Sequence, residues 1–220
     1  MADSKKQIFL WYGENDYEIF QQISRWSDLF VKKYSGLNIT SFDLSIPGSK
    51  DQLQKDVKNA LQVNSLFGSN KLIIFKSFLT KKMNKELQEL ILETLGKLTD
   101  GFFVVFSQKE KPDARGKMWK ELQKLSKKGT AEVKEYTLLQ GSELTRWISS
   151  KAVLEQAKFE SGAIDSLVAS VGNDLWQLDV EVKKLANYKK DEPITIKDVS
   201  LLVKGKYNDD IFQLMDAISE

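Results

Sequence analysis

Short apolar runs alternate with longer amphipathic segments over the first 140 residues of the chain. The run FFVVF at 102–106 is continuous, which is typical of a strand buried on both faces of a sheet. The segment 14–35 instead carries apolar residues at helical spacing, for example at Ile19 and Ile23. The pattern predicts strands at 8–13, 38–44, 71–76, 102–107 and 131–136, and helices at 14–35, 50–61, 84–98 and 113–128. Because strand and helix alternate so regularly, we expect an α/β fold with a parallel sheet flanked by helices.

The alternation ends near residue 140, and the segments that follow have helical patterns only. Polar residues ahead of each apolar repeat are the candidate N-caps: Ser142, Ser161, and Asn173 or Asp174. The segment 195–205 predicts a short fourth helix. We therefore expect an α/β domain over residues 1–140 and a small helical bundle domain over residues 141–210.

Composition narrows the chemistry that the chain can perform. Of its 220 residues 41% are hydrophobic and 29% are charged, and the net charge is +2, so charge alone does not indicate a nucleic acid or a membrane. The chain has no cysteine and no histidine, which excludes thiolate nucleophiles, Ser-His triads and most zinc sites. No apolar run exceeds five residues, whereas a membrane-spanning helix needs about 20. We expect a cytoplasmic protein with no cofactor, no metal and no membrane contact.

The turn after the first strand is where a nucleotide would bind in many parallel α/β folds. A phosphate-binding loop there would need a second Gly followed by Lys and Ser or Thr. The chain has Glu14, Asn15, Asp16 and Tyr17 after Gly13. Two carboxylates would repel a triphosphate, so we expect no ATP binding and no ATP hydrolysis.

Leu66 and Phe67 form an adjacent apolar pair in a segment rich in turn-forming residues, NSLFGSN at 64–70. Neighbouring side chains on a helix end diverge by about 100°, so the two cannot easily face one core. The pattern leaves two interpretations open. One residue fills a gap in the core, or both are anchors for a partner protein.

Five motifs follow one another over nearly the whole chain: FLWYGENDYEI, VNSLFGSNKLIIFKS, EKPDARGKMWKEL, GSELTRWISSKA and VGNDLWQLDVEVKKLANY. In this order and at these spacings they resemble the delta subunit of bacterial DNA polymerase III, the clamp-loader subunit that opens the beta sliding clamp. The resemblance implies an AAA+-like first domain that has lost its nucleotide site, a helical lid domain and a helical collar domain. Trp176 stands where ATP-binding relatives place an arginine near the γ-phosphate, in agreement with that loss. Residues 211–220 would then be the start of a truncated collar.

The resemblance also assigns a role to the apolar pair. It implies that Leu66 and Phe67, with Ser65 beside them, bind a hydrophobic pocket of the beta sliding clamp and that the chain has no catalytic activity of its own. It further implies gamma/tau and delta prime as partners of the full-length protein, and DNA contact through the assembled complex. We expect the 220-residue fragment to be monomeric.

A basic segment at 109–128 is a further candidate site. We predict that Lys109, Lys111, Arg115 and Lys117 face DNA, although a solvated helix face is the commoner explanation of such a pattern. Two alternatives to the clamp loader stay open at this point. One is a degenerate AAA+ scaffold with a different partner, and the other is a DNA-binding module that uses the basic segment.

Overall fold

The computed structural model describes residues 6–34, 36–46, 50–62, 70–77 and 85–204, without the side chains of residues 50 and 62. The chain divides into two compact units, Met1–Thr137 and Leu138–Glu220. The first contains a sheet and the second consists of helices. The predicted start of a collar domain at 211–220 lies outside the described residues.

Within the described residues of the first unit, five parallel strands form one sheet, in the order β2-β3-β4-β1-β5. Their bounds are Ile8–Tyr12 (β1), Ile39–Asp43 (β2), Lys71–Lys76 (β3), Phe102–Gln108 (β4) and Ala131–Glu135 (β5). In the centre of the sheet, Leu10 of β1 lies opposite Phe106 of β4. Each predicted strand is present, and the predicted parallel sheet is confirmed.

In the part of this unit that the structure describes, four helices cover the two faces of the sheet: Asp16–Lys33 (α1), Lys50–Gln62 (α2), Lys85–Leu95 (α3) and Lys117–Lys127 (α4). Side chains alternate between the faces along each strand. Leu10 therefore packs in the core formed with α2, α3 and α4, whereas Trp11 packs in the core formed with α1. Because β1, β3 and β4 are buried on both faces, their sequences are continuous apolar runs. The edge strand β2 is only partly buried and alternates instead.

The second unit contains the helices Gly141–Leu154 (α5), Ala163–Val171 (α6), Leu175–Tyr188 (α7) and Ile196–Leu202 (α8). Their buried apolar side chains include Ile148, Leu167 and Leu178. This helical unit confirms the predicted helical region after the sheet. Within the described residues, no helix combines the length and the apolar character that a membrane span requires.

Two of the predicted helix N-caps are wrong. The N-cap of α5 is Gln140, so Ser142 lies inside the first turn, and the N-cap of α6 is Gly162 rather than Ser161. Gly162 has a φ of +79°, a left-handed conformation that glycine adopts without steric cost, and this turn sets where α6 begins. Asp174 caps α7 as predicted, since its side chain accepts hydrogen bonds from the backbone N–H of Trp176 and Gln177.

Candidate functional site

The turn after β1 requires a glycine at position 13. Gly13 has a φ of +130°, and a Cβ at this position would lie 2.2 Å from the backbone oxygen of Tyr136. The N–H of Gly13 donates to the backbone oxygen of Gln108 at 3.0 Å. Glycine is therefore required here by close backbone approach, and its position after a strand does not by itself indicate a phosphate loop.

Asn15 closes the N-terminus of α1. Its Oδ1 accepts a hydrogen bond from the backbone N–H of Glu18 at 3.1 Å, and its Nδ2 donates to the backbone oxygen of Thr137 at 3.1 Å. Its own backbone N–H donates to the oxygen of Tyr136 at 3.1 Å. The side chain is buried, with only 3% of the residue exposed. A phosphate at this helix end would need the backbone N–H groups of Asn15 and Glu18, which the oxygen of Tyr136 and the Asn15 side chain already engage.

The open cleft beside this turn, with a volume of about 520 Å³, is lined by charges of both signs. Its lysines face carboxylates: Lys109 Nζ lies 3.3 Å from Asp16, and Lys111 Nζ lies 3.5 Å from Glu135. Glu14 and Glu110 add two more acidic residues to the lining. The cleft therefore has more carboxylates than ammonium groups, which disfavours a polyphosphate.

Tyr12 lies against the same acidic group. Its hydroxyl donates to Glu135 at 3.0 Å. Burial, followed by this bond and the nearby negative charge, raises the pKa of Tyr12 to about 12. The hydroxyl is thus a neutral donor at physiological pH and helps to hold Glu135 in place.

The four cations that we predicted to face DNA are all exposed, with 62–90% of each side chain accessible. Besides the two lysine pairs above, Arg115 Nε lies 3.3 Å from Asp113, and Lys117 Nζ lies 3.3 Å from Glu89. The bonds from Arg115 lower the pKa of Asp113. Exposed pairs of this kind contribute about 0–1 kcal/mol each. DNA contact by these residues stays a prediction.

Ser65, Leu66 and Phe67 lie outside the described residues, but the structure describes both ends of the segment that carries them. The segment 63–69 joins the end of α2 to the start of β3. In a parallel sheet the N-terminal ends of all strands lie on the same side. The start of β3 therefore lies at the end of the sheet opposite the Gly13 turn, which follows the C-terminal end of β1. At the start of β3, Lys71 Nζ donates to the backbone oxygen of Ala60 at 2.7 Å.

Trp176 lies in the first turn of α7 and is 44% exposed. An indole here provides no cation for a phosphate. No group of three or more Asp and Glu residues that could hold a metal ion is found in the described parts of the chain.

Two structural features near the candidate sites escaped the sequence analysis. The cap formed by Asn15 had a signal, since an Asn directly before an amphipathic helix is a favoured N-cap. The bond from Lys71 to Ala60 had none, because it joins residues 11 positions apart in different elements.

Comparison with known proteins gives a consistent result. A sequence model of the family "DNA polymerase III, delta subunit" matches residues 9–136. The Bacillus subtilis (strain 168) DNA polymerase III subunit delta is 28% identical over 96% of this chain and 60% of its own length. The structure of the Bacillus subtilis DNA clamp loader delta protein matches with a TM-score of 0.60 and 26% identity, over 96% of this chain and 62% of that one. The chain thus spans about 60% of the length of these relatives.

More distant structures share the fold alone. Domain III of the Thermotoga maritima replication initiation protein DnaA has a TM-score of 0.55 at 13% identity, over 91% of this chain and 85% of that one. The Thermotoga maritima RuvB Holliday junction branch migration motor has a TM-score of 0.53 at 12% identity, over 89% and 62%. The predicted AAA+-like fold is confirmed by these likenesses. With the family match covering more than half of its residues, the chain belongs to the DNA polymerase III delta subunit family.

Proposed function

We propose that this chain acts in DNA replication as the clamp-opening part of a DNA polymerase III clamp loader. It binds the beta sliding clamp and favours the open form of the ring. The observation that carries the proposal is the family match over residues 9–136, because this range includes the segment 63–69 between α2 and β3. The names of the Bacillus subtilis relatives, a DNA polymerase III subunit delta and a DNA clamp loader delta protein, support the same role.

Leu66 and Phe67 are the proposed anchors on the clamp, with Ser65 beside them. Burying a Leu or Phe side chain contributes about 1.5–3 kcal/mol. The pair therefore accounts for about two to four orders of magnitude in affinity, at about 1.4 kcal/mol for each factor of ten. Two such anchors can dominate a small interface.

Ring opening follows from differential binding. A ligand shifts a conformational equilibrium only by the difference between its affinities for the two states. In our proposal the chain binds a clamp whose dimer interface is open more tightly than the closed ring. No chemical step is required of the chain itself.

The proposed role does not use nucleotide bound to this chain. The buried Asn15 cap, the glycine turn in contact with Tyr136 and the carboxylate-rich cleft all support the absence of ATP binding. We infer that the chain has no catalytic activity of its own and that ATP turnover belongs to other subunits.

The assembled complex supplies the remaining partners. We propose that the full-length protein joins gamma/tau and delta prime subunits. We also propose that DNA is reached through that complex, with Lys109, Lys111, Arg115 and Lys117 as the cations that face it. Their high exposure supports this placement. Binding of primed DNA by the isolated chain, with an affinity that falls steeply with salt, would favour a DNA-binding module instead.

The experiment that tests the proposal compares two forms of the cognate beta sliding clamp. One is the closed dimeric ring, and the other carries substitutions in its dimer interface that make it monomeric. We expect the 220-residue chain to bind both and to bind the monomeric form more tightly, because no ring-opening work is needed. Equal affinity for the two forms would contradict the opening mechanism, and absence of binding to either would refute the proposed function.

A further inference from the structure

Helix α2 ends without a basic residue in its own last turn. The last four carbonyl groups of any α-helix lack intrahelical donors, and a nearby cation is favoured by the helix dipole. Ala60 carries one of these carbonyls. Its oxygen receives the ammonium of Lys71 at 2.7 Å, from the first residue of β3. A residue from another element thus provides the C-terminal cation that α2 lacks.

The two ends that this bond joins are each fixed to the scaffold. On the α2 side, Val57 and Leu61 are buried in the core beneath the sheet. On the β3 side, the backbone N–H of Lys71 donates to the oxygen of Gly101 at 3.0 Å. Gly101 has a φ of +82°, and a Cβ there would lie 2.0 Å from Oδ1 of Asn70. The residue just before β3 is therefore packed closely against the turn that precedes β4.

The Lys71 side chain is itself held in a defined place. Its ammonium lies 5.5 Å from the centre of the Phe102 ring, in cation–π contact. Partial burial lowers the pKa of Lys71, which indicates that the ammonium has lost part of its hydration. Its bond to the Ala60 carbonyl compensates for that loss. The Lys71 ammonium is thus held by contacts with Ala60 and Phe102 and does not simply extend into solvent.

We propose that Lys71 is a positioning residue for clamp binding: its bond to Ala60 ties together the two ends of the segment that carries Leu66 and Phe67. This inference rests on the proposed function. An interface segment with a fixed base loses less conformational freedom on binding, so more of its contact energy is available as affinity. Binding residues on loops depend in the same way on a rigid scaffold that places the loop ends.

Three substitutions at one position test the proposal. Lys71→Met keeps the length and apolar stem of the side chain but has no donor. Lys71→Arg keeps a cationic donor, and Lys71→Gln keeps a shorter neutral donor. The matched control is Lys76→Met, at the other end of the same strand. For each full chain, calorimetry gives the dissociation constant for the cognate beta sliding clamp, and urea unfolding gives stability.

We expect Lys71→Met to weaken clamp binding about three- to tenfold, which is part of the effect of a hydrogen bond from a charged donor, because the bond acts on affinity only through the position of the two segment ends. Lys71→Arg should restore binding to within about twofold of the native chain, Lys71→Gln should lie between them, and Lys76→Met should bind like the native chain. A purely structural role predicts instead that affinity follows urea stability across all four variants. Clamp binding at native strength by Lys71→Met, or an equal loss of clamp affinity in Lys76→Met, overturns the positioning role of Lys71 but leaves the proposed function standing. A native chain that does not bind the clamp refutes the proposed function, and the inference with it.

Discussion

Replacing Asn15 by Ala removes two hydrogen bonds from one buried side chain. The first is the cap of α1, in which Oδ1 accepts from the N–H of Glu18 at 3.1 Å. The second joins Nδ2 to the backbone oxygen of Thr137, also at 3.1 Å, and it connects the start of α1 to the chain just after β5. Since only 3% of Asn15 is exposed, water cannot easily replace either partner.

The two losses can be given separate magnitudes. Removing an N-cap side chain typically costs about 1 kcal/mol. Leaving a buried carbonyl without its donor costs about 1–3 kcal/mol. We therefore expect Asn15→Ala to lower the free energy of unfolding by about 2–4 kcal/mol. In a chain of this size that corresponds to a fall in Tm of about 4–16 °C, at about 2–4 °C for each kcal/mol.

Asn15→Ser separates the two contributions, because serine is a good N-cap but has no amide to reach Thr137. We expect its loss of stability to be smaller than that of Asn15→Ala by about 1 kcal/mol. Urea unfolding followed by circular dichroism and by tryptophan fluorescence measures both variants. If Asn15→Ala lost less than about 0.5 kcal/mol, the interpretation of this side chain as the closure of the helix end would be wrong. Equal losses of stability in Asn15→Ser and Asn15→Ala would show that the N-cap contributes nothing, and would leave the bond to Thr137 as the only contribution of this side chain.

Further predictions concern the same turn and the second unit. Gly13→Ala should lower Tm by several degrees, because its Cβ would lie 2.2 Å from the oxygen of Tyr136 at a φ of +130°; an unchanged Tm would contradict this contact. Calorimetry with ATP and Mg²⁺ should show no binding at micromolar concentrations, and a micromolar affinity would refute the loss of the nucleotide site. The bonds from Thr195 lower the pKa of Asp198 below its ordinary value of 3.8. The ionised carboxylate therefore stabilises the folded chain fully above pH 3.8, and this stabilisation is lost as the pH falls through the lower pKa of the folded state. Asp198→Asn should therefore be less stable than the native chain at pH 7, and the difference in urea midpoint should shrink below pH 3.8; a difference independent of pH would contradict the assignment.

The sheet could be predicted because its strands are buried on both faces. Leu10 and Trp11 are neighbours that pack into opposite cores, so no polar residue interrupts the run. The edge strand β2 was predicted equally well from its alternation. In both cases the local sequence pattern depends only on burial: a continuous apolar run for a strand buried on both faces, and alternation for a partly buried strand.

Helix starts were less predictable, because turn geometry competes with the apolar pattern. Helix α4 was expected from residue 113 but begins at Lys117. Asp113 instead forms a turn, in which its Oδ1 accepts from the N–H of Arg115 and its backbone oxygen accepts from the N–H of Gly116. Asp directly after a proline favours such a turn over a helix.

The features of the candidate sites differed in how far the sequence could predict them. The missing phosphate loop could be seen in the residues after Gly13, because carboxylates stand where phosphate needs amides and lysine. The roles of Leu66 and Phe67 could not be derived from their pattern, which fits a core plug as well as an anchor. Contacts between different elements, such as Lys71 to Ala60, follow from the packed fold and have no local sequence pattern.

We propose that Leu66 and Phe67 anchor the chain on the beta sliding clamp. The most direct test of this role measures clamp affinity and Tm for the double variant Leu66→Ala, Phe67→Ala. The control is Leu37→Ala, Ile46→Ala, which removes two apolar side chains that are 71% and 65% exposed in the first unit. We predict that the first variant melts like the native chain and binds the clamp at least about 100-fold more weakly, whereas the control keeps native affinity. Native affinity in the Leu66→Ala, Phe67→Ala variant would contradict the account, and so would a loss of stability of about 2–5 kcal/mol for each residue, which is the cost of deleting core side chains.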